Sequence, residues 1–522
     1  NIIKATYIFL GGLFLVYLLK IEQLMTQKNI CIIGAGVAGL SAASYLAKEG
    51  HKVTILEKNS TIGGRAREYI REGYKFDMGP SFYWMPDIFQ SFFTDFNKDA
   101  SNFYPLQRLD PSYRVYFGEN DFIDLSADID IIYQTFESIE KGSSKFLKKF
   151  LSQGGYNYKV AIDKVMERPG KSPLELVMPE TVLNFRQFLT SLSTQINNNI
   201  NSHKLKTILE FPVLFLGAKP SKTPYFYCFM NYADMILGTW HPMGGFYKLI
   251  HAMESIAKGY DVTIKLNCNV TKINSVTTKC ETKANSIEFT ENGSINCMKF
   301  DYIVSSADYN FTEKLLPQKL RNYTDRYWES KVLAPSALLF YVAFNTKIPN
   351  VEHHTLFFDS NFTDHAQDIY DTPKWPLKPL FYSSFPSKTD PSFAPKGCDC
   401  AVFLIPLAPG LKETTELKEA YFSQIIQRFK KCTGVDMSDS IIFKESYCVS
   451  NFIEDYNSYK GNAYGLANVI TQTGFLKPKI ENRNINNMVY AGQLTVPGPG
   501  VPPSIISGKI AAKQILDKIN NG

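Results

Sequence analysis

Three glycines in the spacing G-x-G-x-x-G, Gly34, Gly36 and Gly39, are followed some twenty residues later by an acid, Glu57. Together these residues could hold a dinucleotide. Gly34 permits a tight turn, Gly36 lets the backbone approach a pyrophosphate, and Gly39 lets a helix pack closely on the strand before it. A helix opening at Val37 turns free N–H groups toward the phosphates, so Ala35, Val37 and Ala38 belong to the same cradle. Glu57 is placed to accept from a ribose diol. The flanking elements suit this role. Ile30 to Ile33 is a short apolar run expected to be a buried parallel strand. The helix runs from Val37 to about Lys48, Gly50 ends it, and Lys52 to Leu56 returns as a second strand. A glycine-rich turn in an ordinary α/β sheet would leave Glu57 as coincidence.

The next motif bears on which dinucleotide is bound. Glu57-Lys58-Asn59 followed by Gly63-Gly64-Arg65-Ala66 resembles the two-dinucleotide-binding flavoproteins, and that resemblance favours FAD over NAD. Gly64 and Arg65 are then expected near the flavin pyrophosphate. No second complete fingerprint is present; the stretch Gly461 to Gly465 has neither the spacing nor a strand leading into a helix. An FAD protein without an NAD(P) domain is expected to pass its electrons on by another route.

At 522 residues the chain is long enough for two or three domains, and 20% charged residues is ordinary for a globular protein. A net charge of +6 is too small for this length to suggest nucleic acid, though it allows weak attraction to anionic lipid. The 14% aromatic content suits an apolar tunnel, and a compositional bias of the source accounts for it equally well. Nine scattered cysteines suit a reducing compartment, and the Cys398/Cys400 pair lacks the partners of a metal site. Ala5 to Leu19 is nearly apolar but short for a membrane span and lacks a cleavage signal. Met25 is expected to be the natural start and residues 1–24 an upstream extension, with a membrane anchor as the alternative.

Further along, Arg71 to Ser81 suggests a strand ending in a tight Gly79-Pro80 turn. Ser143 to Lys159 has the spacing of a short basic amphipathic helix, expected to turn its apolar face into the core, with lipid contact as the alternative. Phe211 to Leu216 and Pro224 to Met230 are greasy enough to line a pocket or to be plain core. A helix is expected from Phe246 to Ala257, and single strands over Asp261 to Lys272 and Phe300 to Ala307. Near the C-terminus a short strand from Met488 to Ala491 meets Gly492, then a loop of prolines and glycines, then a helix from about Ser504.

Taken together, nearly everything after Met25 resembles the bacterial-type phytoene desaturases, which are FAD-dependent carotenoid desaturases. The segments carrying the resemblance are 34–59, FDMGPS at 76–81, GTWHPMGG at 238–245 and DPSFAPKGCDCAVFLIPLAPG at 390–410. To these are added DYNSYKGNAYGLANVITQT at 455–473 and GQLTVPGPGVPPSIISG at 492–508. The resemblance implies an α/β fold with a discontinuous Rossmann-like FAD-binding domain and a substrate domain of mixed sheet and helices. The FAD domain is expected over 25–95, 238–311 and 445–522. The substrate and membrane-facing domain is expected over 96–237 and 312–444. FAD contacts are expected from Gly34, Ala35, Gly36, Val37, Ala38, Gly39, Glu57, Lys58, Gly64, Arg65, Gly79, Pro80, Ser81, Val270, Gly492, Gly500, Val501 and Pro502. His241 stands where many such proteins have an aromatic residue and is read as a plain loop histidine.

The implied reaction is desaturation of phytoene toward neurosporene or lycopene. Hydride passes to the flavin, and loss of the neighbouring proton extends the conjugation. A polyene offers only apolar area to bind, at about 25 cal/mol per Å². A quinone or dioxygen is expected as electron acceptor, with peripheral attachment to the cytoplasmic face of a membrane. No motif supplies a base for the proton, and metal is not expected. A desaturase of hydroxylated or C30 carotenoids, and an FAD-dependent carotenoid isomerase or saturase, remain as alternatives. The Pro/Gly loop disfavours an amine oxidase, and the intact fingerprint disfavours a non-enzymatic isoprenoid-binding protein.

Overall fold

The computed structural model describes residues 27–176, 178–179 and 186–521, so the expectations for residues 1–24 and for a start at Met25 fall outside the described residues. Its first unit is the expected nucleotide-binding one. Strand β1 (Asn29–Ile33) buries all four of its β-strand residues from Ile30 onward. It leads through Gly34, at φ +96°, into helix α1 (Val37–Lys48), and β2 (Lys52–Leu56) returns parallel to β1. Alanine, glycine and serine dominate α1, and that small-residue surface lets it be buried almost all round. One side rests on the sheet and another on the C-terminal helix Val501–Asn521.

Five parallel strands form the first sheet, in the order Met488–Tyr490, Tyr302–Ser305, β1, β2 and Thr263–Lys265. They come from three distant stretches of chain. A second sheet has seven strands, ordered Ile441–Tyr447, Ser336–Phe344, Asp399–Leu407, Phe381–Ser384, His354–Phe357, Tyr113–Gly118 and Asp121–Leu125. Ser336–Phe344 is buried along its whole length, and the helix Thr415–Thr433 covers one face with Phe422, Ile425 and Phe429. The fold is therefore α/β, with a Rossmann-like parallel sheet beside a mixed sheet. Among the described residues, no helix is long and apolar enough to cross a membrane.

Three sequence expectations change in detail. Asp261 to Lys272 is two strands in two sheets, because Asn267 adopts φ +56° and turns the chain between Thr263–Lys265 and Cys268–Thr277. The C-terminal helix begins at Val501 and not at Ser504. Pro502 and Pro503 fit its first turn, where a missing N–H breaks no intrahelical bond. His241 lies in a short strand, Trp240–Pro242, and not in a loop. Ser143–Val160 is helical as expected, with Leu147, Phe150 and Leu151 buried.

Candidate active site

One long cavity of about 590 Å³ starts at the glycine turn and ends among aromatic and aliphatic side chains. Its polar end is made by Gly34, Gly36, Val37 and Ala38, then Glu57, Lys58, Asn59, Gly64 and Arg65. Gly79, Pro80, Ser81 and Val270 line its middle, together with Gly492, Gly500, Val501 and Pro502. Sixteen of the eighteen residues singled out from sequence thus share one wall system. Ala35 and Gly39 do not face the cavity. The Ala35 N–H donates to Glu57 Oε2 at 2.7 Å, and Gly39 sits where a Cβ would lie 2.1 Å from the Gly34 carbonyl oxygen. Both build the turn that the others present.

The polar end suits a dinucleotide diphosphate. Glu57 is buried at the end of β2, with Oε1 accepting from the Asn59 backbone and side-chain N–H groups. Gly36 and Gly63 pair backbone to backbone, and a Cβ on Gly64 would lie 3.2 Å from the Gly36 Cα. The approach is tight on the Gly64 side, where φ is +55° as well. Arg65 donates from one terminal nitrogen to Ser458 Oγ and the Asn462 carbonyl, while its Nε has no hydrogen-bond partner and no solvent. Burial lowers the Arg65 pKa and the nearby Asp308 carboxylate partly offsets this. A buried guanidinium with an unmet donor beside a slot of bare backbone is the chemistry of a pyrophosphate site. The C-terminal helix adds its N-terminal partial positive charge at Val501. These residues fit FAD: Glu57 could accept from its ribose, and the glycine turn with Arg65 could hold its pyrophosphate.

Several wall residues were not anticipated. Ser306, Ala307 and Asp308 follow the strand Tyr302–Ser305 at the carboxyl ends of the parallel strands, where ligands of such sheets bind. Phe452, Asp455 and Tyr456 close the polar end from a separate helix. The signal for Asp308 was present, since it ends a recognised strand; nothing local marks the helix.

Beyond Ser81 the walls become apolar. Phe211, Phe226, Phe229 and Met230 come from the greasy runs, while Leu356, Phe358, Phe362 and Ile369 come from the mixed sheet and its helix. Phe226 stacks on Phe188 at 4.8 Å and packs edge-on to Phe229 at 5.7 Å. His241 is not in the wall; it is buried and its Nε2 lies 3.1 Å from Asp390 Oδ2. Among the described residues no cluster of side chains could hold a metal.

A polar dinucleotide end continuous with a long apolar arm defines an FAD-dependent oxidoreductase. Residues 37–516 match the family model described as flavin containing amine oxidoreductase. The chain is 35% identical over 500 residues to the carotenoid 3,4-desaturase of Haloarcula japonica, across 95% of this chain and 99% of that one. It is 29% identical to a 4,4'-diapophytoene desaturase of Staphylococcus haemolyticus, across 94% and 99% of the two chains. In fold it is similar to an oxidoreductase from Methanosarcina mazei, with TM-score 0.61, 16% identity and 92% and 99% coverage. It is also similar to cyclohexylamine oxidase from Brevibacterium oxydans, with TM-score 0.57, 13% identity and 95% and 100% coverage. The chain belongs to the flavin containing amine oxidoreductase family and, within it, to the carotenoid desaturases.

Proposed function

We propose that this protein desaturates phytoene, a C40 polyene, in carotenoid biosynthesis. The observation that carries this reading is the continuity of the cavity: the arm past Ser81 offers apolar surface and few charges, and it opens directly onto the flavin end. Such an arm binds a hydrocarbon by area and holds one CH–CH unit near the cofactor. When bound, FAD supplies the two-electron acceptor. The chain's own residues bind and orient the polyene, exclude water along the phenylalanine walls, and hold the bare-backbone slot open. The diapophytoene relative favours a C30 substrate as the second reading, because the name of that protein specifies one. The two electrons leave to a quinone or dioxygen, and the protein works as a peripheral protein on the membrane that dissolves its substrate.

The test is anaerobic incubation of FAD-loaded protein in liposomes with phytoene and a quinone, beside parallel incubations with C30 and hydroxylated carotenoids. Longer-conjugated products from phytoene support the reading. Products only from the C30 or hydroxylated compounds move the assignment to those substrates, and isomerised phytoene without added double bonds replaces desaturation by isomerisation.

A further inference from the structure

Desaturation removes a hydride and a proton, and the one carboxylate among the cavity's residues 161–230, Glu175, is already held by the Gly170 and Lys171 N–H groups. A hydrogen-bonded thread of polar side chains reaches the wall at Ser81. Ser81 lines the cavity beside the Gly79-Pro80 turn, and the Tyr382 hydroxyl donates to Ser81 Oγ at 2.9 Å. Behind it, His354 Nδ1 lies 2.7 Å from the Tyr382 oxygen. Tyr382 and His354 sit on the neighbouring strands Phe381–Ser384 and His354–Phe357, so the sheet fixes their separation. His354 is fully buried, and its Nε2 has no hydrogen-bond partner among the described residues. The Phe82 ring stacks on it with centroids 4.0 Å apart and planes at 16°.

We propose that Ser81, Tyr382 and His354 form a proton relay that takes the substrate proton during desaturation. This rests on the desaturase reading above. As hydride leaves one carbon for the flavin, the neighbouring C–H bond breaks and its electron pair becomes the new π bond. Its proton goes to Ser81 Oγ, the Ser81 proton to the Tyr382 oxygen, and the Tyr382 proton to His354 Nδ1, leaving an imidazolium. The receiving direction needs the neutral His354 proton on Nε2, so that Nδ1 accepts; once the proton has arrived, Nδ1–H donates to the Tyr382 oxygen and Tyr382 donates to Ser81, which is the observed direction. In the observed direction the relay returns the proton when the two electrons pass to an acceptor of the quinone class, which needs a proton to become a quinol.

The surroundings suit a neutral imidazole that charges briefly. Burial lowers the His354 pKa well below 6.5, and the neighbouring His241 lowers it further. His353 is held down likewise, by burial and by the other two histidines. The imidazolium would be met by the Phe82 face and, through His353 and His241, by the buried Asp390 carboxylate. Burial alone would raise Asp390, but hydrogen bonds from His241, the Gly244 N–H and Ser392 keep it ionised. Asp77 and Tyr464 face Tyr382 from the other side, and burial leaves both its hydroxyl and that of Tyr464 protonated at neutral pH.

Tyr382→Phe keeps the ring and deletes the relay. The test mixes FAD-loaded full-length protein with carotene liposomes anaerobically and follows loss of the flavin's visible band from about pH 5 to 9. The wild type is expected to keep its rate through pH 6.5 and to slow only well below it, as His354 becomes protonated in the resting protein. Tyr382→Phe is expected to react about 100-fold more slowly and without that acid limb, while its flavin content and melting temperature stay unchanged. Ser81→Ala and His354→Gln give the same reading if Tyr382→Phe folds poorly. Wild-type rate and pH profile in all the folded variants would overturn the relay and leave the desaturase reading standing. A wild type whose flavin no carotenoid bleaches would overturn both. Independently of turnover, ¹⁵N-histidine NMR should show His354 neutral at pH 7 with an Nδ1 signal that moves in Tyr382→Phe; an imidazolium at pH 7 would overturn the relay.

Discussion

The Glu57 carboxylate accepts the Ala35 N–H at 2.7 Å, tying the end of β2 to the glycine turn that follows β1. The acid therefore shapes the turn in addition to facing the cavity. With Oε1 also holding Asn59 N–H groups, removing the carboxylate leaves buried donors unpaired. Glu57→Ala should purify with most of its flavin missing and lose about 1.5–3 kcal/mol for each charged hydrogen bond. The ratio of flavin to protein absorbance, and urea unfolding of the apoprotein, check the two effects separately.

This double use explains what the sequence could and could not reveal. Gly34, Gly36, Gly39 and Glu57 are legible because a turn, a close backbone approach and a helix contact each demand one residue type at one spacing. The apolar arm was legible only as greasy segments, since Phe226 and Leu356 come to line one cavity through tertiary packing that no local pattern encodes. Asp308 and Tyr456 lie 148 residues apart in sequence and reach one site through the fold, where Asp308 Oδ2 accepts the Tyr459 N–H. Helix starts misled at Val501 because two consecutive prolines read as loop. The resemblance to carotenoid desaturases held because its motifs coincide with these steric demands.

Gly508 is where the C-terminal helix meets α1. A Cβ there would lie 2.4 Å from the Ala38 carbonyl oxygen and 2.6 Å from the Ser41 Cβ, both on a buried helix with no room to yield. Gly508→Ala should destabilise the protein by about 1–3 kcal/mol and weaken flavin retention, because Ala38 also lines the cavity. Gly259→Ala, where nothing lies within 4 Å of the added carbon, is the control and should leave the melting temperature nearly unchanged.

Asp234 is buried under Tyr113, whose hydroxyl donates to Oδ2 at 2.7 Å. Burial raises its pKa from 3.8 to about 7, against the hydrogen bonds from Tyr113 and Thr239. Between these values the folded protein holds a proton that the unfolded chain has lost, so this group's contribution falls as pH rises and is fully lost above about 7. Asp234→Asn keeps an acceptor for Tyr113 without the charge. The variant should match the wild type near pH 4 and exceed it by a few kcal/mol near pH 8 in denaturant unfolding.

Lys477 presents the opposite sign. It is 2% exposed, its Nζ has no hydrogen-bond partner among the described residues, and it packs under Gly498 in the Pro/Gly loop. Burial lowers its pKa from 10.5 to about 7. In that window the unfolded chain binds a proton that the folded protein does not, so stability rises with pH and the penalty is complete below about 7. Lys477→Met fills a similar volume with no charge. It should stabilise the protein by a few kcal/mol at pH 6, and the gain should shrink steadily toward pH 10.5. Denaturant unfolding of both proteins across that range checks it. A variant less stable than the wild type at pH 6 would show that the ammonium has a partner inside the fold.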